Sequence, residues 1–449
     1  MATFTAEVFQ NEFLAPDASV VDAVVTVTTT GGPVAATTTN AVELLIVDMS
    51  GSMNEEGGRK IRAALTATAA AIGCIRDGVS FAVIGGRDQA RLVYPRRGLA
   101  VADATTRAEA QAAVAQVEAE GGTAIGTWLD LARALVEYAP GAIAHAILLT
   151  DGKNQHQQPW ELDKAIAAAS GRFQCDCRGL GADWNVAELR KIASALLGTV
   201  DIIPDPSEMA AEFTALMEHA MGKEVGGVAL RLWTPQGSTI EFLRQVSPNL
   251  DDLTASGVEV NPLTKDYALG AWAGDESRDY HLRVRVPMAK VGDERLAARV
   301  MLVVDDAQTA AGLVRAVWTD DDAKSTRINR QVAHYTGQAE LAEVIADGLA
   351  ARESGDEKTA TVKLGRAVQL AHEAGNDGTV KLLAKVVEVD NAETGTVRLK
   401  REVQAVDAMA LDVRSTRTVR VSPAGPPPAT PSGATPSAAT PPTDPTAGS

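Results

Sequence analysis

Five oxygen-bearing side chains in this 449-residue chain could converge on one small, hard cation: Asp48, Ser50, Ser52, Thr123 and Asp151. Three of them alternate within Asp48-Met49-Ser50-Gly51-Ser52, so a single turn can aim one carboxylate and two hydroxyls at one point. Gly51 lets the backbone there turn tightly and come close. Thr123 follows Glu120-Gly121-Gly122, and Asp151 closes Leu148-Leu149-Thr150-Asp151-Gly152. Mg²⁺ takes oxygen ligands in near-octahedral geometry at roughly 2.0–2.1 Å and keeps several waters. Two carboxylates and three hydroxyls would leave such an ion partly hydrated and open to one more anionic ligand. An Asp or Glu from a partner protein could fill that position. Mn²⁺ or Ca²⁺ could use the same donors, while hydroxyl-rich ligation of low charge favours Mg²⁺.

These residues can meet only if the chain brings three loops to one edge of a sheet. Ala41-Val42-Glu43-Leu44-Leu45-Ile46-Val47-Asp48 is an apolar run ending on a carboxylate, as expected of a strand buried on both faces of a parallel sheet. Helical and strand patterns then alternate. Helices are expected over Arg59 to Ile75, Thr105 to Ala119 (capped by Thr105 or Thr106), Thr127 to Tyr138, Glu161 to Ser170, Val186 to Leu197 and Ser207 to Met221. Strands are expected over Val79 to Ile84, Ala90 to Tyr94, Ile143 to Thr150, Phe173 to Gly179 and Thr199 to Ile203. Such alternation implies a doubly wound, mostly parallel α/β sheet, whose ligand crevice lies at the carboxyl ends of the strands. Asp48 and Asp151 fall at those ends.

On these residues the chain resembles the von Willebrand factor A family and its metal-ion-dependent adhesion site. Asp-x-Ser-x-Ser fits at Asp48, Ser50 and Ser52, the threonine at Thr123 in Gly-Gly-Thr-Ala-Ile-Gly-Thr, and the last aspartate at Asp151. The resemblance covers about residues 41–221. It implies Ser50, Ser52 and Thr123 as direct or near-direct ligands, with the two aspartates often acting through water. The wider layout is similar to inter-alpha-trypsin-inhibitor heavy chains and to bacterial relatives called calcium-activated chloride channel homologues. The channel function is not implied, because no run approaches the ~20 apolar residues that span a bilayer.

Five regions follow from the change of pattern along the chain. Residues 1–40 read as a Thr- and Val-rich strand region (Val20 to Thr30, with a turn at Gly31-Gly32-Pro33) belonging to a β-sandwich. Residues 41–222 are the α/β domain. Residues 223–320 carry short strands separated by turns and read as a small antiparallel sandwich, in or beside which the α/β domain sits. Residues 324–413 return to a helical period over Val332 to Glu353, Glu357 to Ala374 and Thr379 to Val389, and read as two or three antiparallel helices. Residues 422–449, rich in Pro, Ala, Thr and Ser, form an expected disordered tail.

Other chemistries fit less well. A phosphatase with Asp48 as nucleophile would want a second aspartate two residues on, where Ser50 stands. A metal-assisted hydrolase would need a general base near the ion, and the sequence offers only Asp151 and His156. Gly57-Gly58-Arg59-Lys60 lacks the phosphate-loop spacing and reads as an ordinary loop and helix start. His156, in Lys153-Asn154-Gln155-His156, reads as a solvated loop histidine. Cys175 and Cys177 should share a strand face as small buried residues, and Cys74 reads as core. The formal net charge of −16 argues against nucleic acid and anionic membrane surfaces. With three cysteines and a start that lacks a signal-peptide pattern, the chain reads as soluble, cytoplasmic and non-enzymatic.

Overall fold

The strand Ala41–Asp48 carries apolar side chains on both faces, and in the computed structural model all eight of its residues are buried. That requires a neighbour on each edge and a helical layer on each face. Ile143–Thr150 pairs with one edge and Ser80–Gly86 with the other, both parallel. The sheet runs Val200–Ile203, Gln174–Leu180, Ile143–Thr150, Ala41–Asp48, Ser80–Gly86, Arg91–Tyr94, and only the last and the short Ala100–Val101 are antiparallel to their neighbour. The structure describes residues 2–31 and 40–421.

Helices cover both faces. Glu55–Cys74, Ala104–Val114 and Met209–Met221 bury Ile61, Ala64, Val114, Phe213 and Met217 on one. Ile125–Val136, Pro159–Ala169 and Val186–Ala195 bury Trp128, Leu129, Leu162, Ile166, Leu189 and Ile192 on the other. This is the doubly wound class anticipated from the alternation. Strand order reverses between Ala41–Asp48 and Ile143–Thr150, so the crevice lies where these two strands end. The helix starting at Ala104 is capped by Asp103, which accepts a bond from the Thr106 amide while the Thr106 hydroxyl accepts one from the Asp103 amide. The cap expected at Thr105 or Thr106 is thus displaced, because a carboxylate at the first non-helical position satisfies the free amides better.

The α/β layer is inserted in a sandwich. Thr3–Gln10, Val20–Thr30, Ser277–Arg285, Thr239–Ser247 and Asp251–Asp252 form one sheet in that order. Val258–Asn261, Thr264–Ala273, Lys223–Trp233, Glu294–Val304, Ala307–Trp318 and Phe13–Leu14 form the other. Their inner faces meet through Val25, Leu282, Leu230, Val300, Trp272 and Trp318. With five and six strands the sandwich is larger than the sequence pattern indicated.

Beyond the sandwich, the helices Arg330–Glu353 and Glu357–Glu373 share a core of Leu341, Ile345, Leu364 and Val368. The next helix stops at Val386, short of the Val389 expected, and the chain forms a hairpin of Val387–Asn391 with Thr396–Leu399. A final helix, Ala405–Arg414, sends Ala410 and Val413 into the α/β core and Leu411 into the helical core. Arg414 donates to buried Asp201 at 2.9 Å, and Arg417 pairs with the same carboxylate. The expected turn at Gly31-Gly32-Pro33 lies partly, and the Pro-rich stretch 422–449 wholly, outside the described residues. Among the described residues no helix is long and apolar enough to cross a membrane.

At the amino end of the sheet a buried charge network joins three strands. His145 Nδ1 lies 2.9 Å from Glu43 Oε2, and its Nε2 lies 2.9 Å from Asp176 Oδ2. Asp176 also accepts from the amide and hydroxyl of Thr199. Burial alone would depress the imidazole, but the two flanking carboxylates push it up to about 10 from 6.5. Burial would raise Asp176; the hydrogen bond and charge of His145 hold it well below the usual carboxylate range. For Glu43 burial wins and its carboxyl is raised. A histidine raised on folding contributes stability that is complete below its unfolded pKa and fades as pH rises through its folded value. Stability measured by urea denaturation should therefore fall between about pH 6.5 and 10. H145Q should cost roughly 3–5 kcal/mol near pH 6 and flatten that alkaline slope.

Candidate functional site

Asp48 ends its strand with no solvent exposure, so both carboxylate oxygens need partners. Oδ1 accepts from the Ser50 amide at 2.8 Å, and Oδ2 accepts from the Thr150 hydroxyl at 2.6 Å. Burial nevertheless pushes this carboxyl up to about 6, against the pull of the Ser50 and Thr150 bonds. The Ser50 bond folds the turn back on itself. The Thr150 bond ties the end of one strand to the end of the next, one residue before Asp151. Backbone bonds fix the third loop: the Glu120 amide donates to Met49 O at 2.8 Å, and the Gly51 amide to Gly121 O at 2.9 Å.

The sequence-selected hydroxyls do come together. Ser50 Oγ and Ser52 Oγ are 3.0 Å apart, and Ser52 Oγ donates to Asp151 Oδ1 at 2.6 Å. A Cβ placed on Gly152 would lie 3.5 Å from Ser52 Oγ and 3.7 Å from Thr123 Oγ1, so these two oxygens face one small space. Ser50, Ser52, Thr123 and Asp151 line an open cleft, while Asp48 lies behind it as a fully buried support.

Two residues that the sequence reading set aside matter here. His156 is exposed, but it is not simply a solvated loop side chain. Its Nδ1 accepts from the Thr123 amide at 3.0 Å, and its own amide donates to Thr123 O at 3.0 Å. The ring lies so close to Gly122 that a Cβ there would come within 2.3 Å of it. Asn154 and Gln157 continue the same seam, accepting from the free amides of Ile125 and Gly126 at 2.9 and 2.8 Å. The loop after Asp151 therefore caps the helix after Thr123 and holds the threonine against the cleft. The glycine spacing around Thr123 was the available signal, but only the fold names the ring that uses the space.

Lys60 is the other. The expected helix start at Gly57-Gly58-Arg59-Lys60 is already within the helix Glu55–Cys74, and Lys60 reaches back into the cleft. Its Nζ donates to Asp151 Oδ2 at 2.9 Å. Burial works against that ammonium, but the bond and charge of Asp151, with Asp183 and Glu55 nearby, raise its pKa.

The groups lining the cleft fit a hard divalent cation: the Asp151 carboxylate and the hydroxyls of Ser50, Ser52 and Thr123 are all oxygen donors, with the Asp48 carboxylate behind them. Cys175 and Cys177 share a strand face with sulfurs 4.0 Å apart, both buried and unpaired; Cys74 is half-buried. A second cavity, between the amino edge of the sheet and the sandwich, is lined by Lys223, Glu276 and Arg278 beside the His145 network. Lys223 bonds Glu276 Oε2 at 2.9 Å and Arg278 bonds Glu276 Oε1 at 2.7 Å, so one carboxylate holds both cations.

Changing Thr150 to Val should leave Asp48 Oδ2 buried without its hydroxyl, at a cost of about 1–3 kcal/mol in denaturant titration. H156A should speed hydrogen exchange of the 121–126 amides while leaving the central strands protected.

A model described as von Willebrand factor type A domain matches residues 43–202, and one described as von Willebrand factor type A C-terminal domain matches residues 369–415. A solved von Willebrand factor type A structure from Catenulispora acidiphila is 51% identical, with a TM-score of 0.88, covering 93% of this chain and 97% of that one. An uncharacterised protein of Synechocystis sp. is 28% identical over 273 residues, 58% of this chain and 61% of its own. The inter-alpha-trypsin inhibitor heavy chain H4 of Sus scrofa is 30% identical over 204 residues, 42% of this chain and 20% of its own. The chain thus spans about three fifths and one fifth of the curated relatives it matches.

Proposed function

This chain belongs to the von Willebrand factor type A family, and we propose that it is a non-catalytic binding protein that captures an acidic side chain of a protein partner through a divalent cation. Ser50, Ser52 and Thr123 would hold the ion, with Asp48 and Asp151 as direct or water-mediated ligands. Mg²⁺ is the ion best suited to this donor set, with Mn²⁺ or Ca²⁺ as substitutes. When bound, the ion supplies a positive charge able to accept a partner carboxylate. The chain's own part is to fix the oxygens and keep the cleft open.

The observation that carries this reading is the continuous contact Ser50–Ser52–Asp151 lining the cleft. The two bases that the sequence offers a hydrolase, Asp151 and His156, are otherwise engaged. Asp151 receives Ser52 and Lys60, and His156 Nδ1 receives the Thr123 amide. Three unpaired thiols fit a reducing compartment such as the cytoplasm.

The test is affinity purification from the native cell with Mg²⁺ or with EDTA, using wild type and S50A/S52A. Partners should be lost with EDTA and with the double variant, while its far-UV spectrum stays unchanged. Recovery of the same partners in all arms would sink the proposal. Turnover of generic phosphate esters that depends on Mg²⁺ and disappears in S50A would establish a hydrolase instead.

A further inference from the structure

Lys60 is a cation built into the cleft itself. Its side chain is only 9% exposed, and Asp151, which it bonds at 2.9 Å, is fully buried. A buried carboxylate needs compensation, and without a divalent ion this ammonium provides it on Oδ2 while Ser52 provides it on Oδ1. An ion drawn to the same carboxylate meets a positive charge at contact distance. The ammonium has somewhere to go. Glu55 Oε2 lies 3.9 Å and Asp183 Oδ2 4.0 Å from Nζ, and both side chains are on the open rim, 66% and 81% exposed.

We propose that Lys60 is a tethered counter-ion of the cleft: it neutralises Asp151 when no divalent ion is bound, competes with that ion for the carboxylate, and moves towards Glu55 and Asp183 when displaced. This rests on the metal-site reading above and adds to it. An ordinary structural ion pair would make the fold stronger without opposing the ion. A tethered counter-ion does both, so its removal should weaken the metal-free protein and strengthen metal binding.

The probe is Mn²⁺ alone, titrated into the full chain and followed by the electron paramagnetic resonance of the free ion. K60Q keeps an N–H donor for Asp151 but drops the charge. It should bind Mn²⁺ about tenfold tighter than wild type, the scale expected for removing one unit charge at short range, and melt at a lower temperature without metal. K60R keeps the charge and should bind like wild type. E55Q/D183N removes the alternative seats from an exposed rim and does not threaten the fold. It should weaken Mn²⁺ binding, and weaken it less in the K60Q background.

Wild-type binding with K60Q no tighter would overturn the counter-ion proposal and leave the metal site standing. An unchanged Mn²⁺ affinity in E55Q/D183N alone would overturn it independently, even if K60Q failed to fold; where K60Q folds, an equal loss from E55Q/D183N in both backgrounds would overturn it as well. Binding by K60Q but not by wild type would support it. Silence from both would overturn it together with the metal site.

Discussion

A carboxylate at the buried end of a hydrophobic strand must be satisfied from inside the protein, and Asp48 is satisfied by two different loops. The Ser50 amide closes its own turn, and the Thr150 hydroxyl comes from the neighbouring strand. Because each bond is short and the group has no access to water, neither loop can drift without stranding a polar atom. The positions of Ser50, Ser52 and Asp151 follow from that constraint. Thr123 is held by a separate seam, in which His156, Asn154 and Gln157 cap the adjoining helix. The cleft is therefore fixed by groups mostly behind it.

The two ends of the sheet treat charge differently. At the amino end, Glu43, His145 and Asp176 are paired with one another across three strands, and Glu276 takes two cations from the sandwich. These groups join layers. At the carboxyl end, Lys60 and Asp151 form a pair, but hydroxyl oxygens stand beside it and the cleft is open to solvent. A closed network favours cohesion and an open one favours exchange with a ligand, which is why the second end carries the functional reading.

The α/β class and the strand-end placement of Asp48 and Asp151 were legible because burial on both faces leaves an uninterrupted apolar run, with a carboxylate conspicuous at its end. Other features left weaker marks. Thr3–Gln10 alternates polar residues with Phe4, Ala6 and Val8, a strand signal overshadowed by the longer run at Val20–Thr30. Val386-Val387-Glu388-Val389 satisfies a helical and a strand pattern alike, so the sequence predicts helix where the hairpin begins. Lys60 stands 91 positions from Asp151, and nothing local in Arg59-Lys60 announces a partner so distant. The same holds for His156, whose role depends on a neighbouring loop coming within hydrogen-bond distance of its ring.

The insertion of one layer in the other also shapes how the chain can reach this state. Ser277 Oγ bonds Val27 O across 250 positions, so the sandwich sheet contains pairings of very long sequence separation. Closing so large a loop in an unfolded chain is slow and entropically unfavourable. Yet Ala41 and Lys223, which bound the inserted layer, line the same cavity. Once the α/β layer has formed, it acts as a short clip that delivers the two halves of the sandwich to each other. Assembly in that order would convert a remote encounter into a local one, and would leave the sandwich dependent on the layer it encloses.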